Sequence, residues 1–287
     1  TDRRHARLKY VVDEWGIEAF RAELVRRAAF PIRPWVAMPP LRHRDWLGAH
    51  EQGDGRWLYG IWVENGRIID DARCRWKSAL RTIVETFRSS VALTPDQNLL
   101  LTDLASDDVP RVEQILATYG LPLPHELGVV RRHALACPAL PTCGLALAES
   151  ERVAADVVGA FERAVVRLGV DDTPVALRMT GCPNGCTRPY GGDLGIVGRK
   201  PGHYDVFVGG GLDGARLGEL FAEGVPLGRL VASVEALLAE WAERRRPKEG
   251  LGAYYDRCVR GTGRRDLLTG AKLAAPAPGA APGSTSP

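Results

Sequence analysis

The sequence predicts an α+β protein made of two successive units. Three observations carry this. Between about residues 53 and 120, strand-type alternation gives way to helical spacing and back again. A Pro-rich break at 121–125 ends that unit, and a second mixture of strands and helices follows. The chain has 287 residues, enough for roughly two domains of average size. Its 45% hydrophobic and 25% charged residues are ordinary globular usage, which excludes a disordered chain, a collagen and a disulfide-knotted mini-protein.

Residues 3–28 read as two helices. Leu8, Val11 and Val12 form one apolar face, Gly16 interrupts, and Phe20, Leu24 and Val25 form another. Residues 31–55, rich in Pro, Gly and Trp, read as a loop. Trp57, Tyr59, Ile61 and Val63 alternate as a half-buried strand, and Asn65-Gly66 before Arg67-Ile68-Ile69 predicts a hairpin. Trp76–Phe87 reads as a helix with Leu80, Ile83, Val84 and Phe87 on one face. Val91–Leu93 and Leu99–Leu101 read as short strands around Thr94–Asn98. Asp108–Tyr119 is a second helix with Pro110 in its first turn.

In the second unit Gly144–Leu168 predicts one long amphipathic helix, and Val175–Met179, Leu194–Val197 and Tyr204–Val208 predict strands. Leu227–Arg245 predicts another helix. From Ala274 to Pro287 every residue is Ala, Pro, Gly, Ser or Thr, and a tail of that composition is expected to be disordered.

Charge excludes some functions. A net charge of +3 from 38 Lys+Arg against 35 Asp+Glu is no footprint for nucleic acid. No apolar run reaches the roughly 18 residues a membrane span requires. Arginine far outnumbers lysine; genome composition explains that bias, and so does a polyanionic ligand, because guanidinium forks match carboxylates. The absence of a signal-peptide pattern predicts a cytoplasmic protein.

The informative residues are four cysteines in two turns. Cys137 and Cys143 are separated by five residues, Cys182 and Cys186 by three. Structural zinc takes tighter pairs. A [4Fe–4S] cube needs four thiolates and is wider than an ion, so the spacing favours a cluster over zinc and leaves two disulfides as the remaining reading. Gly144, Gly181 and Gly185 supply backbone whose amides can donate to sulfur. Cys74 and Cys258 lie outside the pattern and read as structural thiols.

At these residues the chain resembles the sirohaem-containing sulfite and nitrite reductases. The resemblance rests on Thr180-Gly-Cys-Pro-Asn-Gly-Cys-Thr-Arg-Pro189 with Cys137-x5-Cys143 upstream. It extends to Lys9–Phe20, Glu64-Asn-Gly-Arg-Ile68, Thr94-Pro-Asp-Gln-Asn98 and Gly195-Ile-Val-Gly198, over about residues 1–265. The second cysteine segment is more like the assimilatory sulfite reductases than the nitrite reductases.

The resemblance implies the C-terminal half of the pseudo-twofold architecture of that family, and hence a piece of a longer enzyme, which a first residue of Thr1 fits. It implies a helical linker and loop at 1–52, a ferredoxin-like half-domain at 53–125, a sirohaem/[4Fe–4S]-binding domain at 126–270 and the tail at 271–287. It implies that Cys137, Cys143, Cys182 and Cys186 hold the cluster and that Cys186 also bridges to sirohaem iron. It implies six-electron reduction of sulfite to sulfide, with electrons from ferredoxin or an NADPH-dependent flavoprotein; the same scaffold reduces nitrite in other members. Sulfite-gripping residues belong to the other half of the architecture, so no catalytic residue is assigned here.

Sirohaem is rich in carboxylates, which makes Arg178, Arg188, Arg199 and Lys200 candidates to bind it, or else solvated surface charges. Thr180 and Asn184 are candidate cofactor contacts or turn formers, and Gln97 and Asn98 face the cofactor or cap a hairpin. His133 reads as structural, and Gly209–Gly211 as a turn. Ala92 stands where many relatives carry Arg, and Gly211 where the family segment has Asn. Outside the family, the pattern also suits a non-catalytic iron–sulfur or zinc module that binds a partner protein.

Overall fold

The structure is a computed structural model that describes residues 8–34, 36 and 43–262. The chain divides into two units, 1–41 and 42–287. In the first, α1 (Leu8–Trp15) and α2 (Ile17–Arg27) are split at Gly16, whose φ of 76° no helix accommodates. The expected tail at 274–287 lies outside the described residues.

The second unit holds two sheets, each with its own core. The smaller sheet is wholly antiparallel, in the order β1 (Gly48–Glu51), β2 (Trp57–Ile61), β4 (Leu99–Leu104), β3 (Ser90–Leu93). Helices α3 (Trp76–Phe87) and α4 (Val109–Thr118) pack on it. Tyr59, Ile83, Leu101, Leu104 and Leu116 are nearly inaccessible at that contact. The α3 and β3–β4 readings hold, and the turn at 94–98 joins β3 to β4 as expected.

Two readings of this unit are corrected. Residues 48–51, taken as loop, form β1 and pair with β2 from Gly48↔Gly60 to Glu51↔Trp57. Asn65-Gly66 does not close a hairpin. Asn65 and Gly66 do adopt left-handed φ values of 53° and 70°, but β1 and β4 already occupy both edges of β2. Residues 67–69 therefore leave the sheet, and Arg67 pairs with Glu151 instead.

The larger sheet has the order β5 (Leu135–Ala136), β6 (Leu177–Thr180), β7 (Leu194–Lys200), β8 (His203–Val208), β9 (Glu219–Pro226). The first three strands are parallel and the last three antiparallel. Helices α5 (Glu151–Arg167), α6 (Leu230–Arg244) and α7 (Leu251–Cys258) complete the core with Phe161, Leu237, Trp241, Tyr254 and Tyr255. All four residues of β6 are buried, as befits a parallel strand covered on both faces. Strands β5 and β9 and helix α7 were not foreseen. Helix α5 begins at Glu151, not at 144, because residues 144–150 are tied into the cysteine loops.

The two cores are separate hydrophobic clusters, and the seam between them is polar. Arg67 pairs with Glu151, and Asn65 Nδ2 donates to Glu151 O at 3.3 Å. Arg131 pairs with Glu64, and Arg132 with Asp45.

Candidate functional site

The cysteine loops grow from the carboxyl ends of parallel strands, the edge where open α/β sheets place their ligands. Cys137 follows β5 directly, and its amide donates to Met179 O at 3.2 Å, extending the β5–β6 ladder. The chain then doubles back. Cys143 N donates to Ala139 O at 2.7 Å, and Leu147 N and Ala148 N both donate to Gly181 O at 2.8 and 3.0 Å. Ser150, positioned to cap α5, instead donates its hydroxyl to Met179 O at 2.9 Å.

The second loop leaves β6 at Gly181. Gly185 N donates to Cys182 O at 3.4 Å and Arg188 N to Gly185 O at 2.8 Å. The Thr187 hydroxyl donates to Met179 O at 3.0 Å. The two loops touch through backbone. A Cβ on Gly181 would lie 2.6 Å from Ala139 Cβ and 2.7 Å from Ala148 O. One on Gly198 of β7 would lie 2.5 Å from Gly181 O. Only hydrogen fits at either position.

This brings the four cysteines to one place. Gly181 N donates to Cys137 Sγ at 3.3 Å and fixes its position. Burial pushes the Cys186 thiol up, and the neighbouring charges of Cys137, Cys182 and Cys143 push it further. Four thiols carried by two adjoining loops are a set of soft donors, the kind that iron–sulfur clusters take. Among the described residues no three His, Cys, Asp or Glu side chains form a site for a single ion.

The other expected residues sort differently. The Thr180 hydroxyl donates to Cys182 O at 3.0 Å and so closes its own turn. Asn184 is exposed between the second pair. Asn98 is buried, and its Oδ1 accepts from Val63 N at 3.0 Å, the work of a turn. Gln97 Nε2 donates to Ala136 O at 2.9 Å, while its Oε1 is buried without a protein partner. Arg199 pairs with Asp205 at 2.7 Å, and Lys200 is exposed. A cavity of about 480 Å³ opens beside these residues, lined by Val63, Asn65, Leu93, Gln97, Pro138 and Glu151.

Beside the loops lies a charge cluster that sequence reasoning saw only in part. Asp96 accepts from His43 at 2.8 Å and from Arg188 at 3.1 Å, with Arg178 at 3.6 Å. Arg178 is 3% exposed, and its Nε and Nη1 have no partner in the protein. Burial pulls its pKa down to about 10, so it stays charged at neutral pH. Burial likewise holds His133 well below the usual histidine range, and hence neutral. Asp96 lies within the Thr94–Asn98 motif, which carries no sign of these partners, and His43 sits in an irregular stretch with no signal.

Burial alone would raise the Asp96 carboxyl, but the His43 hydrogen bond and the charges of His43, Arg178 and Arg188 bring it down to about 2 from an ordinary 3.8. A depressed carboxylate stabilises the fold above its unfolded pKa and ceases to do so as pH falls through the folded one. Between pH 4 and 2 the protein should therefore lose a contribution that Asp96→Asn never had. Thermal melts across that interval should fall by about 2–4 °C more in the parent than in the variant.

Comparison with known proteins follows the same lines. Residues 49–119 match the family described as nitrite/sulfite reductase ferredoxin-like half domain. The chain is 37% identical over 253 residues to the NADPH sulfite reductase hemoprotein beta-component of Afipia carboxidovorans, covering 88% of this chain and 44% of that protein. It is 38% identical over 257 residues to the ferredoxin sulfite reductase of Synechococcus elongatus, covering 90% and 41%. The chain thus spans less than half the length of these curated relatives. Among solved structures, the Mycobacterium tuberculosis NirA protein superposes with a TM-score of 0.74 at 25% identity, over 89% of this chain and 48% of that one. Dissimilatory sulfite reductase I superposes at 0.57 with 13% identity, a likeness of fold.

Proposed function

The chain belongs to the nitrite and sulfite reductase family, and from that premise we propose that it is the cofactor-bearing C-terminal half of a sulfite reductase haemoprotein. The observation that carries this is the set of four cysteines on two adjoining loops, with the Gly181 amide on Cys137 Sγ. With β1 included, residues 48–125 then form the ferredoxin-like half-domain and the chain from 126 onward the cofactor-binding domain.

In this reading Cys137, Cys143, Cys182 and Cys186 would hold a [4Fe–4S] cluster, with Cys186 also toward sirohaem. Bound there, the cofactors would relay electrons from the donor, one at a time, for the six-electron reduction of sulfite to sulfide. The chain's own residues set position and charge. Gly181 N holds Cys137 Sγ in place. The unpartnered Nε and Nη1 donors of buried Arg178 fit a group rich in carboxylates, and the free Oε1 of Gln97 offers an acceptor to a donor on the same group. Arg188 and Asn184 flank the ligands of the second loop and border the same group. The electron donor is a ferredoxin or an NADPH-dependent flavoprotein, as the names of the relatives divide. A cytoplasmic setting agrees with the absence, among the described residues, of any helix long and apolar enough to cross a membrane.

The test is an anaerobic visible spectrum with iron and acid-labile sulfide counts, on protein made in cells that synthesise sirohaem. About four cluster irons, four labile sulfides and a sirohaem band per chain are expected. One zinc and no labile sulfide would overturn the reading.

A further inference from the structure

We propose that the Thr94–Asn98 turn is a positioning element that fixes the two cysteine loops relative to one another, through Asp96 on one and Gln97 on the other. This rests on the reading of the loops as one four-thiolate site.

The geometry is specific. Successive residues of a single turn reach different loops. Asp96 Oδ1 accepts from Arg188 Nη2 at 3.1 Å, and the same nitrogen donates to Pro95 O at 2.8 Å. Arg188 stands two residues beyond Cys186. Gln97 Nε2 donates at 2.9 Å to Ala136 O, on the peptide that leads into Cys137. The two contacts run from the small sheet to the large one, so the turn spans the seam between cores.

Both ends of this brace are conformationally loaded. Gln97 has a φ of 61° and Arg188 a φ of 57°, left-handed values that strain a side-chain-bearing residue and persist where surroundings over-determine them. The surroundings are present. Asp96 Oδ2 is taken by His43, Arg178 approaches from β6, and Asn98 N and Asp96 N both donate to Thr94 Oγ1 at 3.1 and 3.3 Å. The turn is thus rigid before it touches either loop. A rigid turn that grips one loop with each of two adjacent side chains sets their separation, whereas a flexible one would only follow it.

The proposal makes a prediction that general destabilisation does not. Asp96→Asn should loosen residues 182–192 alone, and Gln97→Leu should loosen residues 137–148 alone. Hydrogen exchange read by mass spectrometry on the purified protein should show about five- to tenfold faster exchange in the one loop and parental rates in the other, the scale of one lost hydrogen bond. In the cluster-loaded protein each variant should also shift the cluster's reduction potential at unchanged iron content. Gln97→Glu, of equal size but unable to donate, should act as Gln97→Leu does. Unchanged exchange in both loops, or uniform acceleration over the chain, would overturn the proposal. Exchange needs no cluster, so a protein found to carry zinc would defeat the functional reading and still test this one.

Discussion

Cys186→Ser is expected to abolish sulfite reduction while leaving the fold in place. Cys186 is the exposed member of the four thiols, whereas Cys137 and Cys182 are buried. Its side chain supports no core, and a serine fits where the sulfur stood. On the proposed reading, what is lost is the link between cluster and haem. Removing partners behind a metal ligand costs about 10- to 100-fold, so losing the shared ligand itself should exceed about a hundredfold. The measurement is sulfite reduction in the complete enzyme with a chemical reductant, beside spin-coupling of haem and cluster read by electron paramagnetic resonance. Normal turnover with intact coupling would remove Cys186 from the bridging role.

Gly198→Ala should damage the second core and the cysteine loops together. The new methyl would lie 2.5 Å from Gly181 O, 2.7 Å from Gly181 C and 2.8 Å from Ala148 Cβ. Two of those three atoms are backbone and cannot swing aside. Forcing atoms into a packed interior costs about 1–3 kcal/mol, and more when backbone must move. Here the yielding segment would be Gly181 with its neighbour Cys182. Iron content should therefore fall along with thermal stability, by about 3 kcal/mol in a denaturant titration. A control at Gly144, where a Cβ meets nothing within 4 Å, should leave both unchanged.

The contrast between those glycines shows where sequence reading succeeds and stops. Gly144, Gly181 and Gly185 all read as flexible backbone near the cysteines. The structure singles out Gly181, because its need for hydrogen comes from chain segments 33 and 42 residues before it, and no local pattern carries that. The same limit explains the secondary structure. Helices α3 and α4 were legible because each buries one helical face, and strands β7 and β8 because each is a short apolar run buried on both faces. Strand β5 has two residues and exists only by pairing with β6. The 64–69 hairpin had the right turn residues and lost to a β2 whose two edges were taken.

The site divides along the same line. The four cysteines were legible as a spaced set because sulfur chemistry is bound to residue type. Asp96 was not, since nothing in Thr-Pro-Asp-Gln-Asn announces that two arginines and a histidine will gather on the third residue. Asn98 illustrates the reverse. It stands in the motif beside Gln97, yet its side chain is spent on Val63 N, because in a tight turn neighbouring side chains point opposite ways.

The seam between the two cores carries one more implication. A joint made of apolar surface is about equally strong in dilute buffer and in brine; a joint made of ion pairs is not. With a Debye length near 10 Å at 0.1 M salt and about 3 Å at 1 M, partly exposed pairs such as Arg67–Glu151 and Arg131–Glu64 weaken as ions accumulate. The solution around the molecule thus tunes how stiffly the smaller sheet is held to the cysteine loops, with neither core having to loosen.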